Sequence, residues 1–301
     1  MSLSANYRGR FAPSPTGSLH FGSLVAALGS YLDAKYHHGK WLVRMEDLDT
    51  PRNVAGAVED ILRTLERFGL YWDEAILWQS QRSVVYQSAL QHLQRLDTVY
   101  PCACTRKEIA DSALPGIDGQ IYPGICRTGI PAGRAERAWR VRTGKQPITF
   151  NDALQGMISQ QLESEIGDFI VKRADGLFAY QLAVVVDDAH QEITHVVRSA
   201  DLLVSTPRQI HLQQLLGLPT PHYLHLPVAI NARGEKLSKQ ALSKPVDRTN
   251  PARLLVQALA FLRQNPPGEL SGQDVTAILK WAVENWKSES LISVKSQRHD
   301  A

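Results

Sequence analysis

Residues 10–23 constrain this chain more than any other stretch. They read Arg10-Phe11-Ala12-Pro13-Ser14-Pro15-Thr16-Gly17-Ser18-Leu19-His20-Phe21-Gly22-Ser23. Arg10-Phe11-Ala12 has the character of the end of a buried strand. Pro13 and Pro15 fix φ, so the chain leaves that strand stiffly. Gly17 permits a turn that a residue with a Cβ resists. From Leu19 onward the apolar spacing becomes helical, with Leu24, Ala27, Leu28, Tyr31 and Leu32 on one face. The expected unit is strand, rigid turn, helix start. His20, Gly22 and Ser23 then fall where a helix offers unpaired backbone N–H groups, a place suited to phosphate.

A second such unit follows. Lys40-Trp41-Leu42-Val43-Arg44-Met45 reads as a buried strand running into Glu46-Asp47-Leu48-Asp49. Carboxylates just past the carboxyl end of a strand stand where open α/β sheets bind ligands. Gly39, after His37-His38, is expected to cap the first helix. Residues 54–68 predict an amphipathic helix closed by Gly69, and residues 83–96 another. This alternation implies an α/β fold with a parallel sheet. With 301 residues, 44% apolar and 21% charged, the composition is that of an ordinary globular protein. A net charge of +3 permits a nucleic-acid partner without requiring one. The first ten residues show no secretory pattern, and the longest apolar run, around residues 182–186, is too short to span a bilayer. A cytoplasmic, reducing location is expected.

All three cysteines, Cys102, Cys104 and Cys126, lie in one Gly- and Pro-rich stretch. Clustered cysteines in a reducing compartment more often hold a metal than pair. Three thiolates leave a tetrahedral Zn²⁺ one ligand short, to be supplied by Tyr122, a water or a His; three metal-free buried thiols are the alternative. Residues 139–142 and 168–171 predict short strands of an insertion. Asp175-Gly176 is a turn signal, and residues 177–188 are a buried strand or helix. Arg198 ends a further strand over 194–199, with a planar fork suited to a carboxylate or to a surface salt bridge. Ser205-Thr206-Pro207 predicts a hydroxyl-capped helix start, with Gly217 as its stop. A strand-like run over 225–230 leads to a polar loop carrying Lys236 and Lys239. Helical spacing resumes from residue 249, and the polar tail after Ser288 is expected to fray.

Jointly these motifs resemble the class I aminoacyl-tRNA synthetases of glutamyl and glutaminyl type. His20-Phe21-Gly22-Ser23 is similar to their HIGH signature, with Ser23 where a second His is common. Lys236-Leu237-Ser238-Lys239-Gln240 is similar to their KMSKS signature. The resemblance implies a Rossmann-like parallel sheet in two halves, residues 1–98 and 173–243. It implies a zinc-bearing insertion over 99–172 and a helical C-terminal region over 244–301. It places L-glutamate against Arg10, Phe11, Ala12, Pro13, Ser14, Glu46, Tyr180 and Arg198, with Glu46 on the ammonium group. It places ATP, accompanied by Mg²⁺, against His20, Gly22, Ser23, Lys236, Ser238 and Lys239, with His20, Lys236 and Lys239 catalytic. Val184 stands where many full-length glutamyl enzymes have Asn. Only residues 246–301 follow the lysine loop, so no anticodon-binding region is expected. That, with Cys-x-Cys…Tyr-x-x-x-Cys, resembles the short glutamyl-queuosine tRNA(Asp) synthetase family. This implies one structural Zn²⁺ on Cys102, Cys104, Tyr122 and Cys126. It implies queuosine-containing tRNA(Asp) as partner of a monomer that needs no membrane. The rival readings are a truncated synthetase charging the tRNA acceptor end, a class I-like nucleotidyltransferase and an inactive RNA-binding paralogue.

Overall fold

Strands and helices alternate along the first part of the chain, as the apolar spacing requires. A computed structural model describes residues 7–231, 233–236 and 244–299. The first half holds β1 (Arg8–Phe11), α1 (Phe21–Tyr36), β2 (Lys40–Met45), α2 (Ala57–Arg67), β3 (Leu77–Trp78) and α3 (Ser83–Arg95). The middle holds β4 (Val99–Cys102), α4 (Arg106–Ser112), β5 (Leu114–Gly116), β6 (Gly119–Ile121), β7 (Ala138–Val141), β8 (Ile148–Asp152), β9 (Gly156–Gln160), α5 (Leu162–Glu165) and β10 (Ile170–Lys172). Then come α6 (Tyr180–His190), β11 (His195–Ser199), α7 (Thr206–Leu216), β12 (His222–Leu226) and β13 (Val228–Ile230). The last part holds α8 (Pro251–Phe261), α9 (Val275–Glu284) and β14 (Ser296–Arg298).

β1, β2 and β3 pair in parallel on one side. β11, β12 and β8 pair in parallel on the other, with β9 antiparallel at the edge. The two groups meet where β11 lies beside β1, through the Thr194 N–H donating to the Arg8 carbonyl at 3.0 Å. From this seam the chain winds outward in both directions, so the carboxyl ends of β1 and β11 bound the crevice in which such sheets take ligands. α1 packs on β1 and β11 and also meets α8 and α9. That explains why its buried residues, Phe21, Leu24, Val25, Ala27, Leu28 and Leu32, run around much of the helix rather than along one stripe. Among the described residues no helix is long and apolar enough to cross a membrane.

Several boundaries differ from expectation, each for a local reason. Residues 177–188, open between strand and helix, are a short turn followed by most of α6. α2 begins at Ala57 rather than residue 54, because Gly56 turns the chain at φ +76°. The left-handed residue after α1 is His38 (φ +54°), not Gly39. Gly39 is needed for another reason: a Cβ there would lie 2.4 Å from the Tyr7 carbonyl oxygen. Ser205 makes no capping bond, since a 3-10 turn over Ala200–Ser205 already leads into α7. The run over 225–230 is divided between β12 and β13, with Pro227 between them. The β8–β9 hairpin, unmarked in the sequence, joins the main sheet through Asp152 opposite Tyr223. The described part of the tail, as far as His299, does not fray: β14 pairs in parallel with β13, and His299 stacks on Phe21 at 3.5 Å between ring centroids.

Candidate active site

The Pro-bracketed turn carries the chain from the end of β1 over the crevice and into α1. Gly17 adopts φ +132°, a conformation that disfavours a side chain. His20 is the N-cap of α1, and its Nδ1 accepts from the Ser23 N–H at 3.3 Å. That bond leaves Nδ1 unprotonated. It also occupies one N–H of the first turn, so the helix start is partly capped by its own histidine. The chain returns to this point after the lysine loop: Val246 N–H donates to the Leu19 carbonyl at 2.8 Å, and Pro245 bridges to His20.

One cleft of about 630 Å³ follows the seam. Arg10, Phe11, Ala12, Pro13, Ser14, His20, Gly22, Ser23, Glu46, Tyr180, Arg198 and Lys236 all line it. The expected glutamate and ATP residues thus converge from five separate segments. Ser238 and Lys239 lie outside the described residues. Lys236 forms an ion pair with Asp201, which also lines the cleft. Val184 is fully buried among the apolar residues of α6 and does not line the cleft.

Two buried charge groups border the cleft. Arg10 Nε donates to Asp188 Oδ1 at 3.0 Å, and Arg44 donates to the same oxygen at 2.8 Å. Arg44 is fully buried, also bonds Gln191 Oε1 at 3.0 Å, and reaches Glu46 at 3.5 Å. Burial pushes the Glu46 carboxyl up to about 7, although Arg44 and Arg10 pull it down. Burial also opposes ionisation of Asp188, but its two arginines hold it below the ordinary carboxylate value.

The second group surrounds Arg198, 5% exposed. Its donors go to His225 Nε2 at 3.0 Å, Thr206 Oγ1 at 2.9 Å and Tyr180 Oη at 3.5 Å. None of these is a carboxylate. A buried cation with no anionic partner among the described residues, facing a cleft, is suited to an anionic ligand.

Arg44, Asp188, Asp201 and His225 were not foreseen. Arg44 within an apolar strand and Asp188 at the end of an apolar helix were legible as charges in the wrong company. Nothing local marks His225.

Away from the cleft, Cys102, Cys104 and Cys126 converge with their sulfurs within 4.8 Å of one another. Tyr122 Oη lies 3.4 Å from both Cys102 and Cys104. Cys104 and Cys126 sulfurs are 3.6 Å apart. Edges of this length suit a tetrahedral ion with metal–sulfur bonds of about 2.3 Å. The backbone approach is tight, since a Cβ on Gly167 would lie 2.8 Å from the Tyr122 nitrogen. Arg140 stacks 3.8 Å over the Tyr122 ring and donates to Cys102 at 3.3 Å. Burial pushes the Cys104 thiol up to about 11. Burial acts on Cys102 too, yet the Tyr122 and Arg140 hydrogen bonds hold it below the usual thiol value. None of these residues lines the cleft.

A Rossmann-like sheet with these motifs at its seam is the architecture of a class I synthetase catalytic domain. The family described as tRNA synthetases class I (E and Q), catalytic domain, matches residues 6–116 and 131–263. The chain is 57% identical over 291 residues to the glutamyl-Q tRNA(Asp) synthetase of Aromatoleum aromaticum, covering 97% of this chain and 91% of that one. It is 57% identical to the protein of that name from Dechloromonas aromatica, covering 96% and 97%. A glutamate-tRNA synthetase from Elizabethkingia anophelis shares the fold at a TM-score of 0.81 and 24% identity, covering 98% of this chain and 68% of that one. The chain belongs to the class I glutamyl and glutaminyl synthetase family, in its glutamyl-Q tRNA(Asp) synthetase branch.

Proposed function

We propose that the protein activates L-glutamate with ATP and transfers the glutamyl group to queuosine in the anticodon of tRNA(Asp). The observation that carries this is Arg198, a buried cation whose partners among the described residues are all neutral, in one cleft with Glu46 and the start of α1. Arg198 faces the substrate's side-chain carboxylate, and an amide there would leave the guanidinium uncompensated. Glu46 takes the ammonium group. Arg10, Phe11, Ala12, Pro13 and Ser14 line the amino-acid end, with Tyr180 beside Arg198.

In the first step an α-carboxylate oxygen of glutamate attacks the α-phosphorus of ATP. The bond to the bridging oxygen breaks and pyrophosphate leaves. In the second, a hydroxyl of the acceptor attacks the activated carbonyl and AMP leaves. Neither step needs a covalent enzyme nucleophile; positioning and charge neutralisation suffice. His20, Gly22 and Ser23 serve the triphosphate from one side. Lys236 serves it from the other, with Ser238 and Lys239 on the same signature; a phosphate would compete with Asp201 for Lys236. Mg²⁺ would travel on the phosphates and supply further charge neutralisation.

Zn²⁺ on Cys102, Cys104, Tyr122 and Cys126 would be structural, its four positions filled by the protein. Arg140 offsets part of the negative charge of such a ligand set. The working unit proposed is a cytoplasmic monomer with the domain division given above. Cys102→Ser is expected to lose zinc, measured by elemental analysis, and to make the insertion more susceptible to proteolysis. One zinc per chain retained in that variant would remove the site.

Glutamate-dependent exchange between ATP and pyrophosphate tests the first step; absence of exchange overturns activation. Labelled glutamate offered to tRNA with and without queuosine tests the second. Label restricted to queuosine-free tRNA would favour charging of the acceptor end instead.

A further inference from the structure

Arg198 faces the cleft, but what fixes its direction lies behind it. A guanidinium only donates hydrogen bonds. Since Arg198 Nε donates to His225 Nε2 at 3.0 Å, Nε2 is the bare nitrogen and the ring proton sits on Nδ1. Nδ1 lies 2.6 Å from Asp152 Oδ2, which accepts that proton's bond. The other oxygen of Asp152 accepts from the N–H groups of Leu154 (3.0 Å), Gln155 (2.9 Å) and His225 (3.3 Å). Both side chains are 0% exposed, and neither lines the cleft. Asp152 ends β8, the strand that pairs with β12 opposite Tyr223, two residues before His225.

We propose that Asp152 and His225 are positioning residues: they fix the orientation of Arg198 and so set the preference for a carboxylate over an amide in the substrate side chain. This rests on the assignment of Arg198 to glutamate. A direct Arg198–carboxylate pair would also orient the guanidinium, but it would offset its charge, as Asp188 does in part for Arg10 and Arg44. A neutral imidazole between Arg198 and Asp152 orients the cation and leaves its charge for the ligand. Burial keeps His225 in that neutral form, pushing it down to about 4 against the pull of Asp152.

The test is Asp152→Asn, which keeps the shape. The oxygen facing Leu154 and Gln155 must remain an oxygen, so the new NH₂ group meets His225 Nδ1. The ring proton then moves to Nε2, where it opposes the Arg198 N–H. In glutamate-dependent ATP–pyrophosphate exchange the KM for glutamate should rise about 10- to 100-fold, with kcat and the KM for ATP essentially unchanged. Discrimination between glutamate and glutamine should fall with it. His225→Phe removes the acceptor and should act alike. His225→Gln, which returns an amide oxygen near the Nε2 position, should recover most of the loss. An Asp152→Asn enzyme with the native KM for glutamate overturns the proposal. So does a uniform fall in kcat and rise in both KM values, the mark of a merely structural role. If Asp152→Asn does not fold, the other pair decides: equal KM values for His225→Phe and His225→Gln overturn it. A wild-type protein without exchange would instead remove the proposed function itself.

Discussion

Two arginine sites flank the seam between β1 and β11, and they are built in opposite ways. On the β1 side, Arg10 and Arg44 converge on one carboxylate oxygen of Asp188. On the β11 side, Arg198 bonds His225, Thr206 and Tyr180, all uncharged acceptors. Burial is nearly the same: Arg10 is 3% exposed, Arg198 5%. The difference lies in where the compensating charge comes from. Around Asp188 part of it is supplied by the fold, through Asp188 and, for Arg44, Glu46, so those residues stiffen the crevice. Around Arg198 it is left for a ligand, so that residue selects one. A buried charge is costly unless paired, which makes the unpaired one informative.

The largest expected effect is on the balanced side. Asp188→Asn keeps the shape but removes the carboxylate that two buried guanidinium groups share, and should destabilise the protein by about 3–5 kcal/mol in urea unfolding. The pH dependence has a definite sign. Burial works against the Asp188 carboxylate, but Arg10 and Arg44 hold its folded value below the ordinary 3.8. Its contribution is therefore present above that value and lost as pH falls through the folded one, and the variant should lack that part of the acid unfolding. Next comes Arg198→Met, which strands no carboxylate. Thr206 can turn its hydroxyl toward His225 Nε2, 3.3 Å away. Stability should change by no more than about 1 kcal/mol, while the KM for glutamate rises about 100-fold. If Arg198→Met unfolds as readily as Asp188→Asn, the contrast between the two sites is broken.

The contrast was half legible in the sequence. Short, local features could be read: the stiff turn after β1, the carboxylates past β2, Arg198 at the end of β11 and the three clustered cysteines. Each depends on neighbours a few residues away, and so does the alternation that predicts a parallel sheet. What was hidden depends on contacts between distant segments. Asp188 falls in a stretch that reads as buried, but nothing near it in sequence names Arg10 and Arg44 as its partners. Asp152 and His225 lie 73 positions apart and meet only because β8 pairs with β12. The tail looked soluble and loose because strand pairing with β13 leaves no mark in a run of only three residues, Ser296–Arg298.

Glu46 stands between the two sites and gives the smallest but most diagnostic effect. It lines the cleft with 10% of its side chain exposed, and Arg44 reaches it at 3.5 Å. Burial raises its folded value to about 7 from 4.5. A raised value favours folding fully below the unfolded one, and that benefit is lost as pH rises through about 7. The wild type should therefore lose about 1–3 kcal/mol between pH 5 and pH 8, and Glu46→Gln should lose less. Glutamate binding should move the other way. The ammonium group needs the carboxylate ionised, so the KM for glutamate should fall by up to about tenfold per unit as pH rises toward 7 and then level. One group thus weakens the fold and strengthens the site over the same interval, and Glu46→Gln should flatten both slopes. A variant that keeps the bend in KM places the ammonium elsewhere. One that keeps the stability slope shows that another buried group titrates there.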